Sequence, residues 1–330
     1  IKDVAKRADV CPSTVSRVLA NNPKISDKTK EKVLDAVREL NYHPNVIARS
    51  LANKSTRTLG LILPNEAEDL FKNPFFIQVM TGISIYAQKR GYYMMYSFGS
   101  TQNDELSIVK SYIQSHLVEG IILLISRQND IVIEYLKKKD FPFVVIGRPK
   151  NTKNILWVDN DNFQAMYNVV SAIQMRCQYD FSFIGGPIDM TVSRDRLLGY
   201  KMALKTHEID IDEKMIILEP NFSEKCGYDA MLNILKIKIP STVIATDDLL
   251  AFGAMKALKE KNIKGVKIVG FNNTPLAEYQ NPSLSSVDIN SNRLGHYAGK
   301  LLIDKLEKVN MPANHYIIGT NFIERNSTKD

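Results

Sequence analysis

The chain has 330 residues, 44% of them hydrophobic, and its 43 Lys and Arg against 36 Asp and Glu leave a net charge of +7. That length suits two or three domains, no apolar run approaches the roughly 20 residues of a membrane span, and no basic-then-apolar leader opens the chain. Cys11, Cys177 and Cys226 are far apart with no CxxC pair, which points to a reducing cytoplasm and away from a disulfide framework or a zinc site.

The excess charge is concentrated at one end. Residues 1–57 hold 12 Lys and Arg against 6 Asp and Glu, and the rest of the chain holds 31 against 30. Such segregation suits contacts to phosphates. In the same region Val4, Ala5 and Ala8 predict a first short helix. A second begins at Pro12, a residue suited to a first helical position because its missing N–H costs nothing there. Val15, Val18 and Leu19 form its inner stripe, leaving Ser13, Thr14, Ser16 and Arg17 outside. Hydroxyls and an arginine in a row suit a helix in a DNA major groove; the alternative is a solvated helical hairpin. Ser26 reads as the N-cap of a third helix over 27–40, with Val33, Leu34, Val37 and Leu40 facing inward. Pro44 ends that pattern. A helical stretch over 45–53 follows, shorter than the roughly 12–15 residues an isolated helix needs. Its Val46, Ile47 and Leu51 have little chain nearby to bury them, so it is either a loose linker or a helix that orders on a partner.

From Thr58 onward strands and helices alternate. TLGLIL, YYMMYSF, GIILLIS and FPFVVIG read as strands, with helices over 76–90 and 105–115. FSFIGG, MIILEP, STVIAT and KIVGF form a second series, with helices over 196–206, 227–235 and 249–261. Short apolar strands spaced by amphipathic helices predict parallel sheets covered on both faces, here two α/β lobes with a ligand cleft at the carboxyl ends of the strands. Polar residues after those strands are the candidates: Asn65, Arg148, Arg194, Arg196, Asp247, Asp248, Asn272 and Asn273. Arg196, Asp247 and Asn272 can bridge adjacent sugar hydroxyls, and Phe75 and Phe222 can cover a ring face. Asp248 can equally cap the next helix, Asn273 can serve a turn, and Arg194 can pair with Asp195 or Asp189. No dinucleotide-binding glycine motif follows the first strand, and no nucleophile elbow, P-loop or HExxH is present. Adjacent Asp247 and Asp248 cannot flank one bond as glycosidase carboxylates do. The reading is therefore a protein that is not an enzyme and takes no cofactor or metal.

IKDVAKRADVCPSTVSRVLA resembles the helix-turn-helix of the lac repressor/gal repressor family, I-K-D-V-A-K-x-A-G-V-S-x-x-T-V-S-R-V-L-N. Asp9 stands in place of the turn glycine and Cys11 in place of the capping serine. NYHPNVIARSLANK resembles the family's hinge, Y-x-P-N-x-x-A-R-x-L, and residues 58–330 resemble its periplasmic sugar-binding-protein-like core. WVDNDNFQA, FIGGPIDMTVSRDR and GFNNTPLAEY look most like repressors of maltose or maltodextrin operons in Gram-positive bacteria. The resemblance implies an all-α helix-turn-helix DNA-binding head over 1–44, a hinge helix and linker over 45–57, and an effector-binding α/β core over 58–330. Lobe one then holds about 58–157 and 288–316, and lobe two about 158–287 and 317–330, with IIGTNFIE as a final strand of lobe two. It implies a cytoplasmic homodimer on a pseudo-palindromic double-stranded operator, with no membrane partner. Ser13 and Arg17 would touch bases; Thr14, Ser16, Asn22 and Lys54 would lie nearer phosphates; and Leu51 would wedge into the minor groove. Arg196, in S-R-x-R-x-x-G-[YW], takes the effector arginine's place, Asp247 the polar position after a lobe-two strand, and Asn272 that of a usual aspartate. Dimer contacts fall around 250–255 and 276–279. The implied function is a sugar-controlled repressor of a sugar-utilisation operon. The alternatives are a catabolite-control-type regulator using a phosphoprotein corepressor and a plain periplasmic-type sugar-binding protein.

Overall fold

The computed structural model describes residues 1–19, 22–42, 55–64, 72–175 and 180–329, in two compact units, Ile1–Thr56 and Arg57–Asp330. The first unit contains α1 (Lys2–Ala8), α2 (Pro12–Leu19) and α3 (Asp27–Glu39). Val4, Val15 and Val33 are fully buried at its centre beside Ala8, Val18 and Ala36. The turn after α1 closes with Asp9 at φ 53, a left-handed conformation that aspartate adopts more readily than most residues with a side chain. Ser26 caps α3 by accepting the Thr29 N–H at 3.4 Å. Leu34 and Leu40 depart from the expected inner face, each being 45% exposed. On a 3.6-residue period positions 33, 36 and 37 share a face, so Ala36 takes the inner place, and Leu40 is already the helix C-cap. The expected hinge helix over 45–53 lies outside the described residues.

The second unit opens with β1 (Thr58–Pro64), α4 (Pro74–Lys89), β2 (Tyr93–Gly99), α5 (Gln102–Gln114), β3 (Gly120–Leu123), α6 (Ile131–Lys138), β4 (Phe143–Ile146) and β5 (Leu156–Asn160). It continues through α7 (Asn162–Gln174), β6 (Phe181–Gly185), α8 (Thr191–Thr206), β7 (Ile216–Leu218), α9 (Glu224–Leu235), β8 (Thr242–Ala245), α10 (Asp248–Glu260) and β9 (Lys267–Phe271). β10 (Ser285–Asp288), α11 (Ser291–Leu306), β11 (His315–Ile318) and β12 (Asn321–Ile323) follow. One sheet has the order β11-β5-β4-β3-β1-β2 and the other β12-β10-β9-β8-β6-β7. Every pairing is parallel except β12 against β10. β1 is buried at six of seven positions, and β3 and β4 throughout, as strands covered on both faces must be. Many helices following a strand start on a side-chain cap: Thr101, Asp130, Asp161, Ser223 and Asp247 each accept a first-turn N–H.

The sheets move the expected lobe borders by a few residues. The first lobe keeps β5 through Asn160, and the second keeps β10 through Asp288. IIGTNFIE is not one strand. Ile317 and Ile318 belong to β11 on the first sheet, and Asn321 to Ile323 form β12 on the second, because the chain crosses between lobes at Gly319 and Thr320. One side chain ties the three crossings together: Asn160 Nδ2 donates to the Ile289 carbonyl at 3.0 Å and to the Ile318 carbonyl at 2.8 Å. Asn290, at φ 55, adds a bond from Nδ2 to the Gly319 carbonyl at 2.8 Å.

α4 and α11 approach closely in the first lobe. A Cβ on Gly82 would lie 2.0 Å from the Asn292 carbonyl oxygen, and one on Gly295 2.0 Å from that of Val79. In the segment 250–255, where dimer contacts are expected, Leu250, Ala251, Phe252 and Ala254 are core residues of the second lobe and Met255 is half-buried. Leu276 and Tyr279 are 45% and 81% exposed.

Candidate functional site

In the first unit Ser13, Ser16 and Arg17 are exposed along α2, and Thr14 is half-buried. Val15 and Val18, turned into the core, fix that face. Asn22 is half-buried and its side chain accepts the Lys24 N–H at 2.9 Å. The Cys11 carbonyl accepts the Thr14 N–H at 2.9 Å, and its Sγ lies 3.0 Å from Ser13 Oγ and 3.1 Å from Thr14 Oγ1. Those hydroxyl contacts bring the exposed Cys11 thiol down to about 7. Leu51 and Lys54 lie outside the described residues.

In the second unit a cavity of about 920 Å³ opens at the carboxyl ends of both sheets, within the size range of small-molecule sites. Phe75, Arg196, Phe222, Asp247 and Asn272 all line it. Arg196, on α8, is only 4% exposed. Its Nε donates to Asn162 Oδ1 at 3.0 Å, its Nη1 to the Thr246 carbonyl at 2.6 Å, and its guanidinium lies 4.3 Å from the centre of the Phe271 ring. Burial lowers the guanidinium to about 10 against the neighbouring Asp247 and Asp159, which hold it up. Asp247 caps α10 through the Leu249 N–H at 2.7 Å and accepts Asn272 Nδ2 at 2.7 Å. The Asn73 side chain of the first lobe also hydrogen-bonds it. Burial outweighs these donors and Arg196 and pushes the Asp247 carboxyl up to about 6. Asn272 and Asn273 stand at φ 98 and φ 47; left-handed backbone at two successive positions favours asparagine over most side chains.

The two aromatic faces are half-buried. Phe75 meets Phe76 edge-to-face at 5.3 Å. Phe222 covers Gly186, where a Cβ would lie 2.2 Å from the ring. Arg148 departs from its expected place: its side chain is exposed and pairs with Asp195 at 3.2 Å, and the preceding Gly147 lines the cavity instead. Asp248 does not cap α10, a task held by Asp247. It is fully buried, accepting Ser286 Oγ at 2.6 Å, the Thr274 N–H at 2.6 Å and Thr274 Oγ1 at 2.9 Å. Asn273 Oδ1 accepts from Arg325 at 2.8 Å, and Arg194 is exposed. Asn65 lies outside the described residues.

The cavity lining beyond the sequence candidates includes three neighbouring polar residues, Asp159, Asn160 and Asn162. Asp159 Oδ2 accepts the Arg148 N–H at 2.8 Å, and its Oδ1 accepts the Asn160 N–H at 2.8 Å and Asn162 Nδ2 at 2.9 Å. Burial raises this carboxyl to about 6. The available signal was the polar run DNDN directly after the apolar residues of β5.

A helix-turn-helix unit on the same chain as a two-lobed core with a polar cleft has the make-up of a DNA-binding regulator. Residues 1–45 match the bacterial regulatory proteins of the lacI family, and residues 179–328 match a periplasmic binding protein-like domain. The transcriptional regulator MalR of Streptococcus pneumoniae is 36% identical over 299 residues, covering 89% of each chain. MalR of Staphylococcus xylosus is 31% identical over 332 residues, 99% of this chain and 97% of that one. Among solved structures, the transcriptional regulator CelR in complex with cellobiose superposes with a TM-score of 0.78 at 26% identity, covering 99% and 98% of the two chains. The chain belongs to the LacI family of bacterial transcriptional regulators, and it is a regulator rather than an enzyme.

Proposed function

We propose that the chain represses a maltose or maltodextrin operon as a cytoplasmic homodimer, with a sugar of that class bound in the cleft as its effector. The cluster of Arg196, Asp247 and Asn272, which lines the same cavity as Phe75 and Phe222, carries this reading. It offers charged and carboxamide groups to vicinal hydroxyls and aromatic faces to the apolar side of a ring. The MalR relatives and the cellobiose complex of CelR support the class of ligand. No helix of the described residues is long and apolar enough to cross a membrane. Ser13 and Arg17 would read bases in each half of a pseudo-palindromic operator, while Thr14, Ser16, Asn22 and Lys54 hold phosphates and Leu51 wedges the minor groove. A sugar acts only through its different affinity for two conformations, and a coupling of about 1–3 kcal/mol changes operator affinity about 5- to 150-fold.

The test is calorimetry of the full chain against glucose, maltose, maltotriose and an unrelated pentose, paired with DNA binding at one stated salt concentration. Binding of maltose or maltotriose that alters DNA affinity is the expected result, and its sign tells inducer from corepressor. A chain that binds DNA but no saccharide would defeat the reading of the cleft.

A further inference from the structure

A continuous run of hydrogen bonds leads from the floor of the cleft to the crossings between lobes. It starts on α8, where Arg196 Nε donates to Asn162 Oδ1 at 3.0 Å. Asn162 Nδ2 donates to Asp159 Oδ1 at 2.9 Å, and the same oxygen accepts the Asn160 N–H at 2.8 Å. Asn160 Nδ2 then reaches the carbonyls of Ile289 and Ile318, which belong to the other two crossings. Arg196 and Asn162 stand on second-lobe helices, while Asp159 and Asn160 end a strand of the first sheet. All four residues are buried and line the cavity.

The chemistry at Asn160 is specific. A carboxamide nitrogen carries two hydrogens in one plane, and here each meets a carbonyl on a different crossing. A carboxylate in its place would turn two acceptors toward those carbonyls, and an alanine would leave both carbonyls without that donor, a loss that is costly inside a protein.

We infer that Asn160 is the positioning residue through which occupancy of the cleft sets the angle between the lobes. A ligand hydroxyl that takes up Asn162 or Asp159 from the cavity changes what holds the Asn160 backbone. The Asn160 side chain passes that change to both remaining crossings together. Asn160 lines the cleft, and the role inferred here is exerted through its two bonds to the other crossings. The inference rests on the cleft being the effector site proposed above.

Full-length wild type, Asn160→Ala, Asn160→Asp and Asn290→Gly are compared with maltose as the probe, on a duplex selected by the wild type from a random pool. Asn290→Gly keeps the left-handed backbone and removes only the bond to Gly319. Each variant is compared at maltose concentrations that saturate it, as fixed by its own calorimetric titration. Under those conditions the wild-type change in DNA affinity, about 5- to 150-fold, is expected to fall below about threefold in both Asn160 variants and to persist in Asn290→Gly. Hydrogen exchange supplies an arm free of variants: maltose should alter the protection of wild-type peptides spanning 289–290 and 318–320. Asn160 variants that bind maltose and still respond like wild type would overturn the inference, as would wild-type crossings whose exchange ignores bound maltose. Both results leave the effector reading intact. Maltotriose replaces maltose if only the longer sugar binds, and a wild type that binds no saccharide defeats that reading first and the inference with it.

Discussion

Arg196 carries opposite obligations. Its burial is tolerable because Asn162, the Thr246 carbonyl and the Phe271 ring occupy the guanidinium, while Asp247 and Asp159 supply the balancing charge. Arg196→Ala would therefore do more than remove the proposed sugar contact. It leaves buried carboxylates without their cation, and breaking such a pair costs about 3–5 kcal/mol. The expected result is an early urea transition of the core together with lost sugar binding; a core as stable as wild type would show that the carboxyls are already neutral. Asp247 gives a second measurement. Its folded value of about 6 lies above the ordinary 3.8, so its protonated form favours the fold. That contribution is complete below 3.8 and is lost as pH rises through about 6. Asp159 acts with the same sign. Core stability should thus increase on acidification from about pH 7.5 to about pH 5, and Asp247→Asn, which keeps a capping side chain, should show a shallower rise. Equal slopes in the two proteins would remove Asp247 from the account. Arg196, Asp247 and Asn272 were legible in the sequence because a motif or a clear strand precedes each. Asp159, Asn160 and Asn162 were less so, because only three apolar residues, Leu156 to Val158, precede them, too short a run to mark the end of a strand. Arg148 follows a clear strand, but a carboxylate on α8 captures it, and no sequence pattern reports such a partner.

At the scale of elements, eight apolar strands and several of the helices between them are readable from their apolar runs and periodicity. β10, β11 and β12 are harder. β10 and β11 are no shorter than β3, β4 or β8, and β12 is no shorter than β7, but SSVD has neither an apolar run nor clean alternation, since its serines are spent on hydrogen bonds within the second lobe. α11 was hidden for a different reason. Gly295 and Gly299 lower its intrinsic helix propensity, yet Gly295 is what lets its backbone lie against α4. Gly82→Ala tests that contact from the other side. Its methyl would collide with a backbone carbonyl, and overpacking of this kind costs about 1–3 kcal/mol or more. A lower thermal midpoint of the core is expected, whereas the gain usual for Gly→Ala in a helix would show that the helices can separate freely.

At the scale of the molecule, function is divided between a basic head and a nearly neutral core. DNA affinity should fall steeply with salt, as counterion release requires. Arg17→Ala should relax base preference in each half-site by about 1–3 kcal/mol if the guanidinium reads a guanine. Selection from a random duplex pool measures this directly, and an unchanged consensus with a shallower salt dependence would confine Arg17 to phosphates. Neither result should alter sugar affinity measured without DNA.

The placement of β11 and β12 also governs the order in which the protein is made. They lie two residues apart in the chain, yet each is the outermost strand of a different sheet. Neither lobe has its last strand until residues 315–323 have left the ribosome, and at about 5–20 residues per second both edges emerge within about two seconds of each other. The three head helices are complete long before. A nascent chain therefore holds its complete set of head helices for most of its synthesis while both lobes are still unfinished.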